Sequence, residues 1–254
     1  MFDIKRSFGG RESTAKGLLV SIAATIAVSL SGCGGPEAPP PAPVLTEHIV
    51  DPSSTGALID PSFGSHYAYP SDATSKGKLF VFFAASLSNP SQYQLIEKAA
   101  ASSGYHSLGL AYPNADVVGL LCAGTSDTAC EGKIRAETLT GANTSTLVAV
   151  NVPNSVENRL AKALVYLNTT YPTEGWGTYV PGGVVQWNLI RLAGHSQGGG
   201  LAAYAATQRW ADRVCAFSSP ADWNDAVNAG LGGPAPWLSA TSATPSGSYY
   251  GFGH

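Results

Sequence analysis

Charge is scarce in this chain of 254 residues: 12% of positions are Asp, Glu, Lys or Arg, and the formal net charge is −3. That balance argues against the basic surface nucleic acid selects, and no run interleaves basic with aromatic residues. Cysteine is also sparse, four in all, with no cluster of neighbouring ligands that would complete a metal site. No internal repeat is present, and no cofactor is implied. What remains is 44% hydrophobic, a composition that folds rather than stays disordered. The length suits one α/β domain around a single core.

The first residues stand apart from that domain. Lys5, Arg6, Arg11 and Lys16 lead into the apolar stretch "GLLVSIAATIAVSL", which ends at "LSGC". The layout is that of a secretory signal, and the run is short and alanine-rich for a permanent span. Leu30, Ser31, Gly32 and Cys33 also resemble the lipobox of bacterial lipoproteins. The resemblance implies a signal peptide over 1–32, cleavage before Cys33, acyl chains on that cysteine, and an exported protein anchored by lipid to the bacterial cell envelope. The plainer alternative is an ordinary signal with an incidental cysteine. Cleavage removes four basic and two acidic residues and leaves the mature chain at −5. Residues 33–45, including "GGPEAPPPAPV", read as an extended tether, and 46–254 as the folded domain.

Within the domain, 45–77 is rich in turn residues and leaves room only for short strands. "KLFVFFAA" (78–85) is a continuous apolar run of strand length, as expected where both faces are buried. A helix is expected over "PSQYQLIEKAAASSG", with Ser91 near its start and Gly104 closing it, then a strand over 105–113. The stretch 114–147 reads as irregular. The next helix starts with a capping-box pattern, Asn154 and Glu157, and sets Leu160, Ala163, Leu164 and Leu167 on one face. "VVQWNLIRLAG" is a strand, "QGGGLAAYAATQRWA" a helix, "RVCAFSS" a strand and "SYYGFG" a further candidate. Alternation of strand and helix predicts a mainly parallel sheet with helices on both faces.

Between the strand ending at Gly194 and the following helix lies Gly194-His195-Ser196-Gln197-Gly198, a G-x-S-x-G. A sharp turn that presents a serine needs glycines two residues away on either side, so that neighbouring backbone passes close. Here the chain resembles the α/β-hydrolase family, the fold of esterases and lipases, over roughly residues 78–254. The resemblance implies that Ser196 attacks an acyl carbonyl and that the Gln197 N–H donates to the oxyanion. A second donor follows the first parallel strand, where "AASLSNP" replaces the family's glycines. Ser86 is the candidate, and an ordinary loop serine is the alternative. His195 adjoins the serine but diverges from it, and is read as packing under the turn.

The family order is Ser, acid, His. After Ser196 the acids are Asp212, Asp222 and Asp225, and the histidine is His254. Asp212 sits at the wrong end of the sheet. Asp222 follows the strand after the elbow and is either the catalytic acid or the N-cap of a helix over "WNDAVNAG". His254, the base candidate, comes where the family places its acid. The expectation is therefore a domain incomplete at its C-terminus, lacking the last helix and strand.

Cys122 and Cys130 share one loop and are expected to bridge in an oxidising compartment, while Cys215 in an apolar strand stays a free thiol. Two functions fit. One is a serine esterase or lipase acting on a small-molecule or lipid-like ester. The other is a non-catalytic lipoprotein that keeps the fold to bind a ligand or partner. Serine at the nucleophile position argues against dehalogenase chemistry. Oligomeric state and the acyl group leave no mark on the sequence.

Overall fold

The computed structural model describes residues 45–253. The signal segment, Cys33, all but the last residue of the tether, and His254 lie outside the described residues.

In chain order the elements are β1 (His48–Val50), α1 (Pro52–Thr55), β2 (His66–Tyr69), β3 (Leu79–Phe83), α2 (Gln94–Ser102), β4 (His106–Gly109), α3 (Val118–Leu121), α4 (Cys130–Thr140), α5 (Val156–Thr170), β5 (Ile190–His195), α6 (Gln197–Gln208), β6 (Arg213–Phe217), β7 (Trp223–Asn224), α7 (Val227–Gly230), β8 (Gly233–Pro234) and β9 (Tyr249–Phe252). Seven strands form one sheet in the order β1-β2-β4-β3-β5-β6-β9. The β1–β2 and β2–β4 pairs are antiparallel, and every pair from β4 to β9 is parallel. β7 and β8 make a separate antiparallel pair.

The apolar run of β3 explains its central place. Its alternate residues Leu79, Val81 and Phe83 join the main core with Leu160, Leu164 and Leu167 of α5 and Leu201, Ala202 and Ala205 of α6. Phe80 and Phe82 point to the other face, where Phe82 packs on Tyr93 beside α2, with ring centroids 4.9 Å apart. A strand buried on both faces tolerates no polar alternation, and β3 has none. The sheet is mainly parallel with helices on both faces, as the sequence pattern predicts.

Several elements differ from the sequence reading, among them the strand expected over 184–194, which begins only at Ile190 after a helical turn at Trp187–Leu189. The stretch 114–147 is not irregular: it holds α3 and α4. α4 buries Glu131, Arg135 and Glu137 along with Ile134 and Leu139, so no apolar stripe marks it. The start of α5 is one residue later than expected. Ser155 is its cap, accepting from the Asn158 N–H at 3.3 Å, because Asn154 Oδ1 is taken by the Asp60 N–H and the Arg159 guanidinium, each at 2.8 Å. The helix expected to begin near Ser91 opens instead as a short turn, Pro90–Gln92, capped by Asn89, before α2 begins at Gln94.

Cys122 and Cys130 form a disulfide with Cα atoms 5.8 Å apart, joining the end of α3 to the start of α4. Cys215 is a free thiol. Among the described residues no helix is long and apolar enough to cross a membrane.

Candidate active site

Ser196 sits at φ 52°, ψ −120°, between the end of β5 and the first turn of α6. A serine pays roughly 1–3 kcal/mol for such a sparsely populated conformation, so the surroundings must impose it. They do so from both sides. The Ser196 N–H donates to the Phe217 carbonyl of β6 at 2.9 Å, and its carbonyl accepts from the Gly200 N–H at 3.0 Å. A methyl group on Gly194 would strike the Gly198 backbone, and one on Gly198 would strike the carbonyls of Phe83 and Ala84. Both positions therefore exclude any larger residue. The turn leaves Ser196 exposed at the carboxyl end of the sheet.

The loop after β3 faces this serine turn. Its carbonyls are drawn inward: Tyr112 Oη donates to Ala84 O and Asn114 Nδ2 to both Ala85 O and Ser88 O, each at 2.7 Å. Most of its N–H groups are also engaged. Ala85 N–H points to Tyr93 Oη at 3.4 Å, Leu87 N–H to Asn114 O at 3.1 Å and Ser88 N–H to Ala85 O at 3.2 Å. The Ser86 N–H donates to nothing among the described residues, and neither does the Gln197 N–H at the start of α6. The Ser86 hydroxyl donates to Gln197 Oε1 at 2.9 Å, which brings the two residues together.

Asp222 lies elsewhere in the network. Both its oxygens accept from Arg135, Oδ2 from Nε and Oδ1 from Nη2, each at 2.5 Å, and Oδ2 also accepts from the Trp237 indole at 2.8 Å. Arg135 in turn donates through Nη1 to the Gln197 carbonyl at 3.2 Å. Its guanidinium fills the space that a side chain at Gly200 would take. The helix-cap role considered for Asp222 is not realised: Trp223–Asn224 is strand β7, α7 starts only at Val227 with no side-chain cap, and the Asp222 carboxylate is held by Arg135 and Trp237. His195 points away from the serine as expected, its Nδ1 3.0 Å from Tyr93 Oη. Asp212 pairs with Lys78 and Arg191, and Asp225 accepts from the Gly124 N–H.

Among the described residues, no hydrogen bond reaches the Ser196 hydroxyl, and no group of three or more His, Cys, Asp or Glu is placed to hold a metal ion. His254 lies outside the described residues, as does Cys33. Arg135, Asn114 and the Gln197 side chain carry much of the geometry, and the sequence reading assigned none of them. Their partners are distant in the chain, so no local pattern marks them.

A strained serine between a central parallel strand and a glycine-rich helix, on a sheet of this order, decides the architecture. The fold is α/β-hydrolase-like. No protein-family model matches the chain, and no curated protein matches it. Among solved structures it is similar to an acetyl xylan esterase from Aspergillus awamori, at 11% identity and a TM-score of 0.37, over 68% of this chain and 50% of that one. It is also similar to an alpha-beta serine hydrolase homologue from Coxiella burnetii, at 11% identity and TM-score 0.34, over 81% and 72% of the two chains. A hyperthermophilic esterase from Pyrobaculum calidifontis matches at 14% identity and TM-score 0.34, over 70% and 45%. The chain thus spans about half the length of the first of these structures.

Proposed function

We propose that this chain is a serine hydrolase of the esterase or lipase type, acting on a small-molecule or lipid-like ester. The conformation of Ser196 carries the reading: an exposed hydroxyl held in a strained turn at the carboxyl end of a central strand. In the proposed reaction Ser196 Oγ attacks the acyl carbonyl and the new C–O bond forms as the carbonyl π pair moves onto oxygen. The N–H groups of Gln197 and Ser86 receive that oxyanion, and the alcohol leaves as the carbonyl re-forms, taking the proton given up by Ser196. Water then attacks the acyl carbon, its oxygen bonding there as the bond to Ser196 Oγ breaks and the serine regains a proton from that water. His254, just beyond β9, is the candidate to take the serine proton. Asp222 is the acid this reading inherits from the order Ser, acid, His, yet its carboxylate is committed to Arg135 and serves the elbow through it.

Export as a lipoprotein on Cys33, with a tether ahead of the domain, is part of the same proposal. The Cys122–Cys130 bridge supports an oxidising compartment. A second reading, a lipoprotein that binds a ligand or partner without catalysis, draws on the Ser196 hydroxyl having no basic partner among the described residues. Turnover of p-nitrophenyl esters of graded chain length separates the two. Hydrolysis that disappears in Ser196→Ala supports the enzyme; equal rates in both proteins support the binding protein.

A further inference from the structure

Gln197 holds more of this site together than its backbone N–H. Its carboxamide makes three hydrogen bonds to two separate loops. Oε1 accepts from the Ser86 hydroxyl at 2.9 Å and from the Val118 N–H at 3.1 Å, and Nε2 donates to the Asp116 carbonyl at 2.9 Å. Ser86 lies after β3, Asp116 lies between β4 and α3, and Val118 is the first residue of α3. With both lone pairs and one amide hydrogen engaged, the group has one orientation. The loop it holds at Ser86 contains no glycine, and it turns instead at Leu87, with φ 59° and 76% exposed. A leucine held there needs the chain fixed on either side. Downstream, Asn114 does this by binding Ala85 O, Ser88 O and the Leu87 N–H. Across the site, the Ser86 hydroxyl on Gln197 is the side-chain bond from this loop to the elbow.

We infer that the Gln197 side chain is a positioning residue. Through the Ser86 hydroxyl it sets the distance between two N–H groups without partners among the described residues, its own and that of Ser86, that would receive an oxyanion. The inference rests on the hydrolase reading above. A donor helps only when it sits within hydrogen-bonding reach of the place where charge develops, and loss of one donor lowers kcat by about a hundredfold to a thousandfold. Loosening one donor without removing it is a smaller effect. The bond acts on charge that develops after the substrate is bound, so it belongs in kcat rather than KM.

The test uses the full chain and p-nitrophenyl acetate, whose leaving group needs no proton. Ser86→Ala removes the bond and leaves the Val118 and Asp116 bonds of Gln197 intact, so the fold is retained. Ser86→Thr restores a hydroxyl, and Gln197→Met removes the clamp while keeping the backbone donor. The expected result is a fall in kcat of about tenfold to a hundredfold for Ser86→Ala, a change in KM of about twofold at most, and recovery in Ser86→Thr. Ser86→Ala combined with Gln197→Met should be no slower than Gln197→Met alone, since Gln197→Met already removes the Ser86 bond along with those to Val118 and Asp116. Unchanged kcat in Ser86→Ala, or losses that multiply in the double variant, would overturn the clamp while leaving the hydrolase standing. A parent protein with no Ser196-dependent turnover overturns the hydrolase reading itself, and the clamp with it.

Discussion

Arg135 and Asp222, 87 residues apart, meet in a two-point ion pair whose side chains are 3% and 8% exposed. The pair lies under the first turn of α6, and Arg135 reaches from it to the Gln197 carbonyl. It therefore links the chain after β6 to the elbow through a helix that the sequence pattern does not show.

Removing one member of a buried pair strands the other charge, which typically costs about 3–5 kcal/mol. Asp222→Ala is expected to lower stability by that order, seen as a reduced midpoint in urea unfolding. Arg135→Met combined with Asp222→Leu is expected to recover most of the loss. A single variant within about 0.5 kcal/mol of the parent would show that the pair contributes little.

Much of the architecture is legible in the sequence for a simple reason. β3 and β5 are largely buried through apolarity, which composition displays, and the elbow is written in closely spaced glycines. α4 is buried through pairing instead: Arg135 with Asp222, Glu131 with Asn224 Nδ2 at 2.8 Å, and Glu137 with the N–H groups of Thr144, Ser145 and Val150. A reading by hydrophobic period sees those residues as solvent-facing and the segment as a loop. Ser86 could be named from its place after β3, but its tie to Gln197 spans 111 residues and leaves no local trace. The pairing of Asp222 is hidden for the same reason: its cation, Arg135, is 87 residues away in the chain.

The Cys122–Cys130 bridge closes a short loop across the α3–α4 junction. For a loop of this length, chain entropy gives a contribution of roughly 2–3 kcal/mol. Cys122→Ser with Cys130→Ser is expected to lose that amount, and the parent protein treated with a reductant is expected to match the double variant. Equal unfolding midpoints with and without reductant would contradict it.

Glu97 is fully buried against Gly109, and neither carboxylate oxygen has a hydrogen-bond partner among the described residues. Burial first, and the Glu47 carboxylate second, push its pKa up from 4.5 to about 8. The folded state then holds a proton that the unfolded chain releases, so stability falls as pH rises from about 4.5 to about 8. The loss is on the order of 3 kcal/mol by pH 7. His66 acts oppositely: burial lowers its pKa to about 3, so stability is lost as pH falls from 6.5 toward 3. Glu97→Gln is expected to flatten the fall above pH 6.5 and leave the acid limb in place. Unfolding free energies measured from pH 4 to 9 check this, and an unchanged slope above pH 6.5 would refute it.

The exported-lipoprotein proposal makes its own forecast. Cys33→Ala is expected to move the protein from the membrane to the soluble fraction, or to leave it as an uncleaved precursor. Unchanged mass and unchanged fractionation would count against lipidation.

The most direct test of the central claim is covalent. An activated serine reacts with a fluorophosphonate, its oxygen displacing fluoride at phosphorus, whereas an inert serine in a tight turn does not. Peptide mass spectrometry after such treatment is expected to find a single adduct on Ser196, absent from Ser196→Ala and from protein unfolded before exposure. No adduct on Ser196, or labelling spread over other hydroxyl residues, would contradict the reading of Ser196 as a nucleophile.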